Sequence, residues 1–347
     1  MFSKPTKSSK GNHFFLRLKM MTDWPVMALI SLCLGGGVSA FAASFSCNQV
    51  VRAQEKFICQ YEEISRLDEL MTGAYREQMK FLPKEAQLLV QSSQRSWLNF
   101  WPMACSSTPG VIKFDANSKE CVAEAYRSRT SELSGSVALA GRVTYKIGDY
   151  RYLKPKIKDD APSTHTISFP QVVAKSLNDV ALNGWLARDL SKWQSSLDTD
   201  SNTELSINVK SLNNNLLHAT EVQYFFGHGA AHPLTNKANH YFILNSGRAM
   251  NAIDFFAKNG WDIALAEFTY KKLQHKLGDN LQVKTAKELI PLIREPSNWS
   301  VSTNTFSLEF NPYEVAPYSE GFVEVNVPFS ILRLFLTPLG RSTLNAK

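Results

Sequence analysis

No apolar run in this 347-residue chain is long enough to serve as an ordinary membrane span. The one candidate, Val26 to Val38, is interrupted by Gly35-Gly36-Gly37 and falls short of the roughly 20 residues a spanning helix needs. No Gly-x-Ser-x-Gly elbow occurs, which removes the usual signature of a serine hydrolase, and no glycine-rich cofactor motif is present, so no cofactor is expected. Internal repeats and low-complexity tracts are missing as well. Excess charge is also scarcer than it looks. The formal charge is +7, but Lys4, Lys7, Lys10, Arg17 and Lys19 all precede the apolar run. Without residues 1–42 the remainder holds 33 basic and 30 acidic side chains, a charge of +3. No basic stripe with interleaved aromatics survives, which argues against nucleic-acid binding.

The basic stretch, the apolar run and Ala40-Phe41-Ala42 together have the form of a signal peptide with an A-x-A cleavage site before Ala43. Export to the periplasm or cell envelope is expected, with no integral membrane segment after leader removal. The leader's length leaves open a start at Met20 or Met21, or retention as an N-terminal anchor. Five cysteines are few for this length. Cys33 lies in the leader, and Cys47, Cys59, Cys105 and Cys121 lie close together beyond it. An even number of cysteines confined to one region of an exported chain reads as a disulfide framework. Proximity favours Cys47 with Cys59 and Cys105 with Cys121, with two other pairings open. Roughly 305 residues past the leader exceed one ordinary core, so two domains are expected.

Ile64, Leu67, Met71, Tyr75 and Met79 recur at helical spacing and predict a helix over 65–81, with Ser65 and Asp68 as a capping box. A second helix over 85–100 follows Pro83, with Leu88, Leu89, Trp97 and Leu98 as core residues, and a third runs over 121–133. Between the last two cysteines, Ser106 to Glu120 is rich in Ser, Pro, Gly, Asn and Lys and reads as an exposed loop. The texture changes near Gly141. Lys158 to Thr164 resembles a linker, and strands are expected over 165–169, 204–209, 219–226, 240–245, 305–310 and 322–327. Helices are expected over 171–195, 261–276 and 286–295. The predicted layout is a signal peptide (1–42), an all-α disulfide-bridged domain (43–135), a linker and start of a second domain (136–164), and an α+β domain with a mainly antiparallel sheet (165–347).

The pattern Ser44-Phe45-Ser46-Cys47, Glu55, Ile58-Cys59, Ile64 to Leu70, Tyr75-Arg76, Gln94 to Leu98, Cys105, Cys121 and Tyr126 to Arg129 resembles the LprI-like lysozyme-inhibitor family of secreted bacterial proteins. The later stretches Tyr224 to Pro233, Tyr241 to Arg248, Ile253 to Phe256 and Phe306 to Gly321 resemble the lysozyme-sensing extracellular domain of RsiV-type anti-sigma factors, a module also found on peptidoglycan deacetylases. The resemblances imply an exported, non-enzymatic protein that binds lysozyme and inhibits it by steric occlusion. They do not imply sigma-factor binding or deacetylation, whose domains this chain lacks. A lysozyme cleft carries two carboxylates, so Ser106, Ser107, Lys113 and Lys119 in the bridged loop are the candidate contacts. Tyr61-Glu62-Glu63, Asp68-Glu69 and the Glu309 to Glu320 region are candidate acidic patches toward a basic lysozyme.

Other readings compete. An envelope-binding module for peptidoglycan or another envelope protein is the alternative, and a metal-dependent hydrolase of envelope glycans is the third. His228 and His232 have a zinc-compatible spacing, but Gly227, Gly229 and Pro233 point to a turn between strands. Glu309, Glu314 and Glu320 gather near Tyr313 and Tyr318 as candidate acid–base groups, and the plainer reading is a turn with an aromatic plug. Tyr224-Phe225-Phe226 reads as core packing.

Overall fold

The computed structural model describes residues 43–135, 138–139, 141–155, 161–213 and 215–345. The expected leader and the charged Lys158-Asp159-Asp160 lie outside the described residues.

The helical region comprises α1 (Ala53–Gln60), α2 (Glu62–Phe81), α3 (Lys84–Ala104) and α4 (Ser118–Ser134). Its bridges join Cys47 to Cys59 and Cys105 to Cys121. Ile64, Val90, Trp97, Trp101, Val122 and Tyr126 form its core. Trp97 meets the Tyr126 ring edge-on at 5.0 Å and Trp101 meets it at 5.5 Å, contacts each worth about 0.5–1.5 kcal/mol beyond area burial.

Three expectations for these helices need correction. Ser65 does not cap α2, which begins at Glu62; its buried hydroxyl donates to the Ile58 carbonyl at 2.8 Å. Asp68, expected in an acidic patch, is buried and accepts the Ser44 amide at 2.8 Å. On α3, Trp97 is buried as expected, but Leu88, Leu89 and Leu98 are exposed, and the inward face also carries Ala86, Val90, Ser93, Gln94 and Trp101. Ser93 on that face accepts a backbone N–H of the following strand, so hydrophobicity alone does not mark the inward stripe.

The second region is built on β1 (Ala138–Leu139), β2 (Arg142–Leu153), β3 (Ser163–Val172), β4 (Ser201–Asn213), β5 (Leu216–Gly227), β6 (Leu234–Ile243) and β7 (Arg248–Ala249). These seven strands form one sheet in sequence order, antiparallel except for the parallel pair β3–β4. A parallel pair needs a crossover, and α5 (Leu177–Leu186) and α6 (Leu190–Ser195) supply it. The single helix expected over 171–195 is therefore overturned at its start, because Pro170-Gln171-Val172 pair with β2 in register. Leu182, Leu186 and Trp193 of the crossover pack on Ile167, Phe169, Ile207 and Leu217.

The chain continues through α7 (Ala252–Phe255), α8 (Trp261–Leu277), α9 (Ala286–Arg294), the antiparallel strands β8 (Trp299–Val301), β9 (Phe306–Phe310) and β10 (Val323–Asn326), then α10 (Phe329–Leu332) and α11 (Pro338–Thr343). Phe255, Phe256, Trp261, Trp299 and Phe306 form an aromatic cluster that Tyr241 of β6 joins by donating its hydroxyl to the Trp299 carbonyl at 2.7 Å. The layout is thus an all-α disulfide-bridged region followed by an α+β region with a mainly antiparallel sheet.

The two regions are joined along β2. Tyr145 and Tyr150 of β2 belong to the helical core. The β2 backbone is bonded by α3 side chains: Gly148 N–H donates to Ser93 Oγ at 2.9 Å, and Tyr150 N–H donates to Ser96 Oγ at 3.0 Å. Beneath them Arg129, whose side chain is fully buried, donates to Gln94 Oε1 at 2.9 Å, Glu132 at 2.9 Å and the Tyr150 hydroxyl at 3.0 Å. Burial, together with the Glu132 charge, raises the Tyr150 pKa well above the usual phenol range, so Tyr150 stays a neutral donor.

Candidate functional site

The loop between α3 and α4 is held at both ends by Cys105 and Cys121, whose Cα atoms are 5.5 Å apart. Its interior is tied by its own polar groups. Ser107 N–H donates to the Lys113 carbonyl at 2.8 Å, and Val111 N–H donates to the Thr108 carbonyl at 3.2 Å. The Ser106 hydroxyl accepts the Thr108 and Lys113 amides at 3.2 and 3.0 Å and faces the carbonyls of Thr108, Val111 and Lys113. At the turn Gly110 adopts φ +74°, which suits glycine, and its amide donates to the Tyr152 hydroxyl of β2 at 2.8 Å. Phe114 anchors the return by stacking on Phe57 at 4.8 Å.

This geometry sorts the four expected contact residues. Ser106 and Ser107 spend their hydroxyls within the loop. Lys119 lies on α4, 3.1 Å from Glu63, and Arg127 reaches the same carboxylate at 2.8 Å. The hydrogen bond and charge of Lys119, followed by Arg127, lower the Glu63 pKa. Lys113 is exposed, and its ammonium has no partner among the described residues. Beside it the tip exposes Val111 (57%) and Ile112 (37%), which the sequence reading missed. The available signal was two adjacent β-branched apolar residues within an otherwise polar loop.

The C-terminal candidates are placed separately. Asn311 pairs with β6 through its side chain, accepting the Lys237 amide at 2.7 Å and donating to the Lys237 carbonyl at 3.1 Å. The following Tyr313 has φ 72°, strained for a residue with a Cβ, and is 54% exposed. Tyr318 bridges Tyr313, at 5.7 Å, and His232, at 4.1 Å, in a ladder of rings. The ladder borders a cleft of about 430 Å³ lined by Glu221, Lys237, Tyr313 and Glu314. The three carboxylates read as an acid–base cluster have different partners. Glu309 pairs with Lys237 at 2.7 Å, Glu314 accepts the Asn311 amide at 2.7 Å, and Glu320 accepts the Asn280 side chain at 2.7 Å.

His228 sits in the turn after β5, where its amide donates to the Asp200 carbonyl at 2.8 Å. Its Nε2 is enclosed without a partner among the described residues, while His232 Nδ1 lies 3.0 Å from the Pro233 carbonyl. Among the described residues no group of three or more His, Cys, Asp or Glu is arranged to hold a metal. Phe225, expected in a core, is 48% exposed in the last, half-open stretch of β5. No described helix is long and apolar enough to cross a membrane.

Residues 47–133, which include both bridges and the clamped loop, match the family described as lysozyme inhibitor LprI. The match covers the helical region alone, about a quarter of the chain. Residues 253–330 match a family described as a protein of unknown function, DUF3298. A DUF3298 member from Bacteroides fragilis has a solved structure that is 15% identical, covering 59% of this chain and 98% of its own, with a TM-score of 0.47. A DUF3298 family protein from Pseudomonas aeruginosa is 15% identical, covering 56% of this chain and 94% of its own, with a TM-score of 0.42. A comparison with curated proteins found no match.

Proposed function

We propose that this protein is an exported lysozyme inhibitor whose LprI domain occludes the lysozyme cleft with the clamped loop. The observation that carries this reading is the pre-ordered tip Val111-Ile112-Lys113 on a domain of an inhibitor family. A loop already held by a bridge, an internal hydroxyl and a tether to β2 loses little further freedom on binding. The tip presents two apolar side chains followed by one cation. A lysozyme cleft, with apolar sugar-binding walls and two carboxylates, one of them the general acid, is complementary to that order. Disulfides in the same domain suit an oxidising compartment, where lysozyme is met.

The test is titration of c-, g- and i-type lysozymes with the oxidised protein, following both complex formation and lysis of cell-wall substrate. One-to-one binding with loss of lysis is the expected result. The double variant Ile112→Asp with Lys113→Ala is expected to weaken inhibition at least ten-fold, since an interface depends on a few central anchors. Unaltered inhibition by that variant would move the contact elsewhere, with the Tyr313 ladder next in line. Absence of binding to all three classes would sink the reading altogether.

A further inference from the structure

Two clefts meet on α3, and Arg95 and Asn99 line both. One, of about 650 Å³, lies along the α3–β2 seam and reaches Gln194 on α6. The other, of about 550 Å³, lies between α3, α2 and the N-terminal segment at Phe45 and Arg52. Both volumes fall within the range of small-molecule sites, about 300–1,000 Å³. The clamped loop contributes to neither.

Most charges lining the clefts already have partners. Asp149 pairs with Arg151 at 2.8 Å, and Glu55 lies 3.8 Å from Arg52. Asp68, at the floor of the second cleft, is committed to the Ser44 amide and the Tyr126 hydroxyl. Arg95 differs: it is exposed and has neither an ion pair nor a hydrogen bond with any described residue. The side chains of Ser92, Asn99 and Thr72 around it are likewise without hydrogen bonds among the described residues. Tyr75 and Leu98 add apolar surface.

One uncompensated guanidinium, a set of uncharged hydroxyl and amide groups, and apolar faces together describe a site for a sugar chain bearing carboxylates. An extended peptide would instead seek a strand edge. The β2 edge lining the first cleft is closed to it, because Gly148 and Tyr150 are bonded to Ser93 and Ser96. We propose that the paired clefts bind a carboxylate-bearing chain of N-acetylated amino sugars, as in peptidoglycan, with Arg95 holding the carboxylate and Asn99 an acetamido group. Such binding would place the protein on the polymer that lysozyme cuts, and it stands whether or not lysozyme itself is bound.

The test is calorimetric titration of the full oxidised protein with soluble peptidoglycan fragments carrying their lactyl and stem-peptide carboxylates. Uncharged chitooligosaccharides of equal length and an acidic peptide serve as comparisons. The fragments are expected to bind about ten-fold or more tightly than either comparison ligand, with affinity falling as salt rises. Arg95→Gln is expected to weaken fragment binding by about ten-fold or more, the loss of one charge-assisted contact. Asn99→Ala is expected to weaken it less. Arg95→Gln should leave lysozyme inhibition unchanged, so failure of this inference is separable from failure of the inhibitor reading. Equal binding by the folded Arg95→Gln variant, equal binding of chitooligosaccharides, preference for the acidic peptide, or no binding of any fragment would each overturn the proposal.

Discussion

Replacing both Cys105 and Cys121 with Ser separates the stability of the helical domain from the order of its loop. The bridge closes a sequence separation of 16 residues, for which chain entropy gives about 3 kcal/mol of stabilisation. The remaining ties are local: the Ser106 hydroxyl, the Gly110 amide on Tyr152 and the Phe114 ring on Phe57. They still outline the loop, but its two ends are no longer covalently joined, so Val111, Ile112 and Lys113 must be ordered during binding. Ordering costs about 0.5–1.5 kcal/mol per immobilised side chain, and part of that cost is paid by the bound wild type too. A net loss of about ten-fold in lysozyme affinity, or about 1.4 kcal/mol, is therefore expected. Urea unfolding followed by far-UV circular dichroism measures the first quantity. Inhibition titrations at a temperature where both proteins are fully folded measure the second. Stability reduced by about 3 kcal/mol with affinity unchanged would refute the claim that the bridge pre-orders a binding tip. A stability change below about 1 kcal/mol would refute the chain-entropy estimate itself.

Gly148→Ala is expected to destabilise the seam by about 1–3 kcal/mol, read as a lower urea midpoint. A Cβ there would stand 2.6 Å from the Tyr150 hydroxyl and 2.8 Å from its ring, and Tyr150 is pinned by Arg129 at 3.0 Å. Acid should expose the cluster around Glu221. Burial pushes that carboxyl up, but hydrogen bonds from His240 and Gln223 and the charges of His240 and Arg188 bring it down from 4.5 to about 2. A depressed carboxylate contributes stability that is fully present above 4.5 and is lost as pH falls toward 2. Glu221→Gln is accordingly expected to flatten the stability profile between those values, measured by thermal unfolding across pH, and an identical slope in both proteins would count against it.

The elements with strong periodicity are legible in the sequence. The Ile64 to Met79 repeat became α2, and the alternating stretches from His165 onward became β3 to β6, because a period of 3.6 or 2 follows from backbone geometry alone. The cysteine pairing by proximity also holds, since short separations favour closure. On α3 the sequence marks Trp97 rightly but not the rest of the inward face. Leu88, Leu89 and Leu98 are the more hydrophobic residues, yet Ser93 and Ser96 turn inward because β2 offers unpaired backbone groups that must be satisfied. No local pattern announces that partner, which lies some 55 residues downstream.

The sites divide in the same way. Lys113 stood in a loop marked by its composition, but only the folded loop shows that Ser106 and Ser107 face inward, that Lys119 is held by Glu63, and that Val111 and Ile112 form the tip. The sequence by itself determined the element types, the compartment-linked cysteine framework and the family likeness, all carried by residues near one another in the chain. Which side chains remain unspent, Lys113 at the tip and Arg95 between the clefts among them, was decided by tertiary structure. A charge is spent or left over according to what folding brings within about 4 Å of it, and that distance is not written in sequence order.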